Sequence, residues 1–368
     1  MKKILLTFTA MAIFTSLAAC GGGSTALVVK PLPDKLVIGH RGASALRPEH
    51  TLEAYAKAID DGADVIEPDL VSTKDGVLVA RHENEISGTT NVADKPEFAA
   101  RKITRLIDNV STTGWFTEDF TLAELQTLRA KERIPLNRPA NTAFDGQFSI
   151  PTLQAVIDLA KAKTQETGRT IAVYPETKHP SYFKSINLPL EKRLVDVLNA
   201  NGLRGKSAPV FIQSFEVANL KEMRLLTDVR IVQLLSSSGR PEDFRLSGDP
   251  RTYADISSAA GLKEVATYAN GIGPEKSMVI PRNAQSILGT PTALVANAKA
   301  AGLIVHPYTF RPENPFLPAD LRRGNIASTS DRGDSGAEIT EFLKAGIDGF
   351  FTDDSAIGRA ALDAFVKP

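Results

Sequence analysis

The chain has 368 residues, with 43 Lys plus Arg balanced by 43 Asp plus Glu. That length accommodates one barrel of roughly 250 residues with insertions as readily as two ordinary domains. The formal net charge of +0 leaves no basic field of the kind that draws nucleic acid, and this class of partner is set aside.

Lys2 and Lys3 precede an apolar run over residues 4–17, which ends in Leu17-Ala18-Ala19-Cys20. The run is short for a bilayer span, which takes about 20 residues, and its flanks are those of a secretory signal. Cys20 is the only cysteine, so no internal disulfide can form. Leu-Ala-Ala-Cys resembles the bacterial lipoprotein box, whose cysteine becomes a lipidated N-terminus. The resemblance implies a signal peptide over 1–19, a lipid anchor on Cys20 and a Gly/Ser tether over 20–34. The folded domain then spans 35–368. A plain cleaved signal with an incidental cysteine is the alternative. Gly21 stands where an aspartate often retains lipoproteins at an inner membrane, so the expected location is the periplasmic side of an outer membrane.

Short runs rich in β-branched residues predict strands at 36–38, 65–70, 77–80, 171–174, 210–212, 231–235, 303–305 and 349–351. Amphipathic patterns predict helices at 51–61, 152–163, 190–201, 216–226, 291–301 and 337–345. This alternation favours a parallel sheet, and eight strands favour a (β/α)8 barrel. The link over 71–76 is too short for a parallel crossover and reads as a hairpin. A turn at Lys74-Asp75 or Asp75-Gly76 would set His82 opposite Glu67 or Asp69, respectively. Residues 86–148 read as an inserted subdomain and residues 236–280 as a looser insertion, because Ser, Thr, Asn and Pro clusters interrupt the periodicity.

His40, His82 and His306 each end a predicted strand, on the face where barrel enzymes assemble their sites. Glu67 and Asp69 share one face of a strand, and Glu176 ends another. Three inward carboxylates raise one another's pKa and call for a hard divalent ion with oxygen ligands, Ca²⁺ or Mg²⁺. Pairing of Glu67 or Asp69 with Arg41, Arg81 or Lys178 is the structural alternative. Arg41 and Lys178 could hold a phosphate, and with two histidines the group suits in-line attack at phosphorus, which points to phosphodiester hydrolysis.

These residues stand in a series of motifs. His40-Arg41-Gly42, Pro48-Glu49-His50-Thr51, Glu67-Pro68-Asp69 and Lys74-Asp75-Gly76 lead to His82. Glu176-Thr177-Lys178, Gln213-Ser214-Phe215, His306-Pro307-Tyr308 and Phe351-Thr352-Asp353 follow. The series resembles the glycerophosphodiester phosphodiesterase family across nearly the whole barrel. The resemblance implies a distorted (β/α)8 TIM barrel with a small insertion after the third strand, matching 86–148. It also implies hydrolysis of glycerophosphodiesters to sn-glycerol 3-phosphate and an alcohol, by way of a cyclic phosphate that water opens.

By position, the resemblance makes His40 and His82 the acid/base pair and Glu67, Asp69 and Glu176 the metal ligands. It has Arg41 and Lys178 hold the phosphate, and makes Glu49 a substrate-binding residue that contacts or orients the metal site's surroundings. Gln213 and Tyr308, which end or follow predicted strands, read as substrate contacts, and Phe215 reads either as a core aromatic or as a residue of the substrate mouth. The segment around His306 and the long insertion look most like the periplasmic branch, whose members use Ca²⁺. His50 departs from the family, which usually has asparagine there, and puts that loop's hydrogen bonding in question. Trp115 could pack within the insertion or cover the glycerol end, and His179 reads as a loop residue. No protein partner is evident. Two further functions stay open: a phospholipase-type phosphodiesterase acting on intact lipids, and a non-catalytic phosphodiester-binding lipoprotein.

Overall fold

The computed structural model describes residues 30–367, so the segment read as a signal and Cys20 lie outside the described residues. No helix among the described residues is long and apolar enough to cross a membrane.

The first strand, β1 (Leu36–His40), is buried along its whole length. It pairs in parallel with β2 (Val65–Glu67), which is followed by β3 (Asp69–Ser72). Pro68 separates these two because it has no N–H to give a ladder. The chain returns on β4 (Leu78–Ala80), antiparallel to β3. Between β4 and the helix Leu153–Thr167 lies the segment foreseen as an insertion, which carries the hairpin β5 (Ile103–Ile107) and β6 (Val110–Gly114). Then come β7 (Ala172–Val173) and β8 (Glu176–Thr177), separated at Pro175, and β9 (Phe211–Ser214). The last four are β10 (Arg230–Leu235), β11 (Gly271–Pro274), β12 (Ile304–Val305) and β13 (Gly349–Thr352).

Parallel pairing runs β13-β1-β2-β7 and β12-β11-β10-β9-β8-β3, and the two rows are continuous through the Pro68 and Pro175 breaks. Hydrogen bonds from Asp348 N to Val305 O and from Phe351 N to Pro307 O, each 3.0 Å, join the ends into a barrel. Counting β2/β3 and β7/β8 as single interrupted strands gives the eight strands of a (β/α)8 barrel.

Two expectations need correction. The 77–80 run is not a barrel strand but the return arm of a hairpin, and the barrel's place is taken by Gly271–Pro274, inside the stretch read as a loose insertion. Gly-Ile-Gly-Pro has one β-branched residue and two glycines, which conceals it. The glycines are needed because a Cβ on Gly271 would stand 2.5 Å from Ile304 and one on Gly273 2.6 Å from Leu234. The hairpin register pairs Leu70 with Ala80 and Ser72 with Leu78, midway between the two registers foreseen. A three-residue loop, Lys74-Asp75-Gly76, is the cause: Thr73 N bonds Val77 O at 2.9 Å, and Gly76 takes the left-handed φ of 81° that ends such loops. His82 is therefore not directly opposite Glu67 or Asp69.

The helices close as their caps dictate. Thr51 and Thr152 accept the N–H of Ala54 and Ala155 at 3.1 Å, starting the helices Leu52–Asp60 and Leu153–Thr167. Inside the barrel, Tyr174 stacks on Phe211 at 4.8 Å and meets Phe351 edge-on at 5.1 Å. With Ile38, Val65 and Val232 they fill the barrel below the site, while a larger core lies between strands and helices.

Candidate active site

Register assembles the carboxylates. Parallel neighbours on a barrel place residues at the same level side by side: His40 pairs with Glu67, Asp69 with Glu176, and Glu176 with Gln213. Carboxylate oxygens of Glu67, Asp69 and Glu176 consequently lie within 4.8 Å of one another, all buried. Burial, then the charge of Asp69, holds the Glu67 carboxyl well above its ordinary range. Glu176 is pushed up to about 8 by burial, against the pull of Lys178. Burial would raise Asp69 too, but His50 and Lys178 outweigh it and keep this carboxyl well below the usual range.

The donor set fits a hard divalent ion. Asp69 Oδ1 and the side-chain oxygen of Gln213 are buried without a hydrogen-bond partner, although buried polar oxygens are nearly always satisfied. Three crowded carboxylates with a spare acceptor make an oxygen donor set of the kind that can hold such an ion.

Around them is a cavity of about 120 Å³ whose wall includes His40, Arg41, His82, Lys178, Phe215 and Tyr308. Of the histidines foreseen, His40 and His82 reach it. His306 does not: it is 1% exposed, packs between Tyr174 and Phe211, and sets Nδ1 3.2 Å from the Tyr174 hydroxyl.

His40 Nδ1 lies 2.6 Å from Asp353 Oδ1, which fixes the ring with Nε2 free. Burial, then Arg41, lowers the His40 pKa, and Asp353 opposes them. Asp353 also meets Arg138, whose Nε reaches Glu313 at 2.7 Å. His82 turns Nδ1 to Glu83 and Nε2 to the Lys178 ammonium at 3.3 Å. Burial and the positive charges of Arg41 and Lys178 hold it below its ordinary pKa. The ammonium can only donate, so Nε2 is the unprotonated nitrogen.

Arg41 stands in a turn with φ 59°, followed by Gly42 at φ 88°, where a Cβ would meet the Ala54 backbone at 2.6 Å. Its N–H donates to Glu67 Oε2 at 2.8 Å, and Nη1 to Glu49 Oε2 at 3.1 Å. Glu49, expected to bind substrate or to orient the metal site's surroundings, does not line the cavity: both its oxygens are taken, by Arg41 and by Arg133 at 2.7 Å. It holds Arg41 instead. Lys178 Nζ donates to Glu176 Oε1 at 2.9 Å, and the Gln213 amide donates to Glu67 at 3.1 Å. Phe215 and Tyr308 meet edge-on at 6.0 Å in the cavity wall, with the Lys178 ammonium 5.8 Å over the Phe215 ring.

His50 is fully buried, with Nε2 2.9 Å from Asp69 Oδ2 and Nδ1 2.7 Å from the Tyr55 hydroxyl. An ionised Asp69 accepts, so Nε2 carries the proton and the tyrosine donates to Nδ1. Trp115 packs within the insertion, its indole N–H donating to Phe98 O at 2.7 Å. Sequence reasoning missed the residues that hold these groups in place: Arg133, Arg138, Asp353 as the partner of His40, and His179, which bridges Asp108 at 2.6 Å and Glu83 at 3.5 Å. Only Asp353 carried a signal, as the end of a strand motif.

The model of the glycerophosphoryl diester phosphodiesterase family matches residues 40–357. A glycerophosphodiester phosphodiesterase of Arabidopsis thaliana, GDPD6, is 37% identical over 86% of this chain and 82% of its own length. One from Haemophilus influenzae is 28% identical over 95% of this chain and 98% of its own. Among solved structures, a phosphodiesterase of Oleispira antarctica in complex with the product sn-glycerol-3-phosphate superposes with a TM-score of 0.57 at 18% identity, covering 90% of this chain and 97% of that one. A glycerophosphodiester phosphodiesterase of Agrobacterium tumefaciens superposes with 0.54 at 17%, covering 89% and 99%. At these identities the structures speak to the fold.

Proposed function

Because this chain belongs to the glycerophosphoryl diester phosphodiesterase family, we propose that its barrel site cleaves glycerophosphodiesters to sn-glycerol 3-phosphate and an alcohol by histidine acid/base catalysis. The convergence of His40, His82, Glu67 and Glu176 on one small cavity, with the Asp69 carboxylate grouped behind them, carries this assignment.

Glu67, Asp69 and Glu176 are the residues that would hold a divalent ion, Ca²⁺ ahead of Mg²⁺, and such an ion supplies charge to offset that developing on the phosphoryl oxygens. His82 Nε2, kept unprotonated by Lys178, takes the proton of the substrate's glycerol hydroxyl as that oxygen bonds to phosphorus. His40, whose imidazolium Asp353 stabilises, gives the proton from Nε2 to the departing alcohol as the phosphorus–oxygen bond breaks. Water then opens the cyclic phosphate with the two histidines in reversed roles. Arg41 and Lys178 steady the phosphate's charge, and Phe215 and Tyr308 bound the organic part.

Export and anchoring through Cys20 belong to the same proposal, on the strength of the Leu17-Ala18-Ala19-Cys20 segment. They place the enzyme on the periplasmic side of a membrane.

The test offers the purified domain glycerophosphocholine and intact phosphatidylcholine, following sn-glycerol 3-phosphate release in the parent, His40→Ala and His82→Ala. Turnover of the first substrate alone, lost in both variants by about 10²-fold or more, is expected. Cleavage of the intact lipid would favour a phospholipase, and binding without turnover a carrier.

A further inference from the structure

Three permanent cations line the catalytic cavity among the described residues: Arg41, Lys178 and Arg311. Two donate to protein carboxylates. Arg41 bonds Glu49 through Nη1, although its Nε, 3.5 Å from Asp69, has no partner, and Lys178 bonds Glu176. Arg311 differs. Its Nε approaches Asp353 Oδ2 at 3.2 Å without hydrogen-bond geometry, and its guanidinium donates no hydrogen bond to any described residue. The side chain is steadied over the Phe316 ring at 4.8 Å, so it is placed but not spent.

Its position is equally distinctive. The catalytic cavity and a neighbouring groove of about 760 Å³ are both lined by Tyr308, Thr309 and Arg311, so this guanidinium stands where the two adjoin. With 29% of its side chain exposed, it is open to a ligand entering from the groove. A guanidinium fork with free Nη donors matches two oxygens of a phosphate, which a lysine cannot do.

We propose that Arg311 is a third phosphate-binding residue, whose Nη groups take the non-bridging oxygens of the substrate where cavity and groove adjoin. This rests on the phosphodiesterase reading above. The rival role is purely structural: Arg311 would only help Arg138 hold Asp353 against His40. The two roles differ in what they move. A phosphate contact changes KM and the affinity for product, whereas a prop for Asp353 changes kcat and leaves product binding alone.

The experiment titrates sn-glycerol 3-phosphate into the Ca²⁺-supplemented parent, Arg311→Met and Arg311→Lys by calorimetry, with KM and kcat for glycerophosphocholine beside it. Arg311→Met should bind product about 10- to 100-fold more weakly and raise KM by a similar factor, with Arg311→Lys in between. Product binding within about twofold of the parent in Arg311→Met overturns the proposal, as does a parent that binds no product. Should Arg311→Met fail to fold by circular dichroism, Arg311→Lys decides by the same twofold criterion. A parent that binds product but hydrolyses nothing refutes the phosphodiesterase reading, while the titration still judges Arg311.

Discussion

Asp353→Asn separates the chemistry of the site from its architecture. Asp353 is 2% exposed and accepts from His40 Nδ1 at 2.6 Å. The amide keeps the shape but removes the charge that stabilises the His40 imidazolium, and an amide N–H turned to Nδ1 would hold the ring in the other tautomer. General acid/base catalysis is typically worth about 10²–10⁴, and the comparable change in a Ser-His-Asp triad costs about 10⁴. We therefore expect kcat to fall by about 10²–10⁴, or about 3–5 kcal/mol in barrier.

The structural cost should be smaller. Breaking a buried ion pair outright costs about 3–5 kcal/mol, but Arg138 keeps Glu313 at 2.7 Å, so about 1–3 kcal/mol is expected. Asp353 raises the His40 pKa, so its neutralisation should move the alkaline limb of the rate profile to lower pH. The assay follows sn-glycerol 3-phosphate release against pH, with thermal melting by circular dichroism alongside. A folded Asp353→Asn protein with kcat within about threefold of the parent would refute the coupling of Asp353 to His40.

Two further changes probe the supporting shell. In His50→Asn the amide can still donate to Asp69, but the buried Tyr55 hydroxyl loses its acceptor, so unfolding in urea should show a loss of about 1–3 kcal/mol. Adding Tyr55→Phe should recover most of that loss; a simply additive double variant contradicts the assigned tautomer. At His179, burial lowers the pKa, but hydrogen bonds to Asp108 and Glu83 outweigh it and bring it up to about 9. The raised value means stability fully present below pH 6.5 and lost as pH passes about 9. The parent's advantage over His179→Asn should accordingly shrink between pH 6 and pH 9.5 by up to about 3 kcal/mol in urea unfolding, and a gap independent of pH refutes the bridge.

Much of the barrel was legible in the sequence because buried parallel strands are runs of β-branched residues, as at β1 and β10, and their neighbours are amphipathic with Thr caps. The site was legible for a related reason: Glu67, Asp69 and Glu176 sit at strand levels that parallel register must bring together. What stayed hidden depends on close approach or on distant partners. Gly271–Pro274 is a strand whose glycines answer to Ile304 and Leu234, which no local pattern reveals. The hairpin register depended on a three-residue loop rather than a two-residue turn. His306 had the position of a site residue, yet its ring faces Tyr174 and Phe211 inside the barrel. Arg138 and Asp108 come from the 86–148 segment, more than 60 residues along the chain from Asp353 and His179, which they touch.

The most direct measurement is release of sn-glycerol 3-phosphate from glycerophosphocholine by the purified domain, first as prepared, then with EDTA, then with Ca²⁺ restored. The three crowded carboxylates and the spare oxygen of Asp69 predict activity that EDTA abolishes and Ca²⁺ returns. Turnover that EDTA leaves untouched would contradict a metal role for Glu67, Asp69 and Glu176.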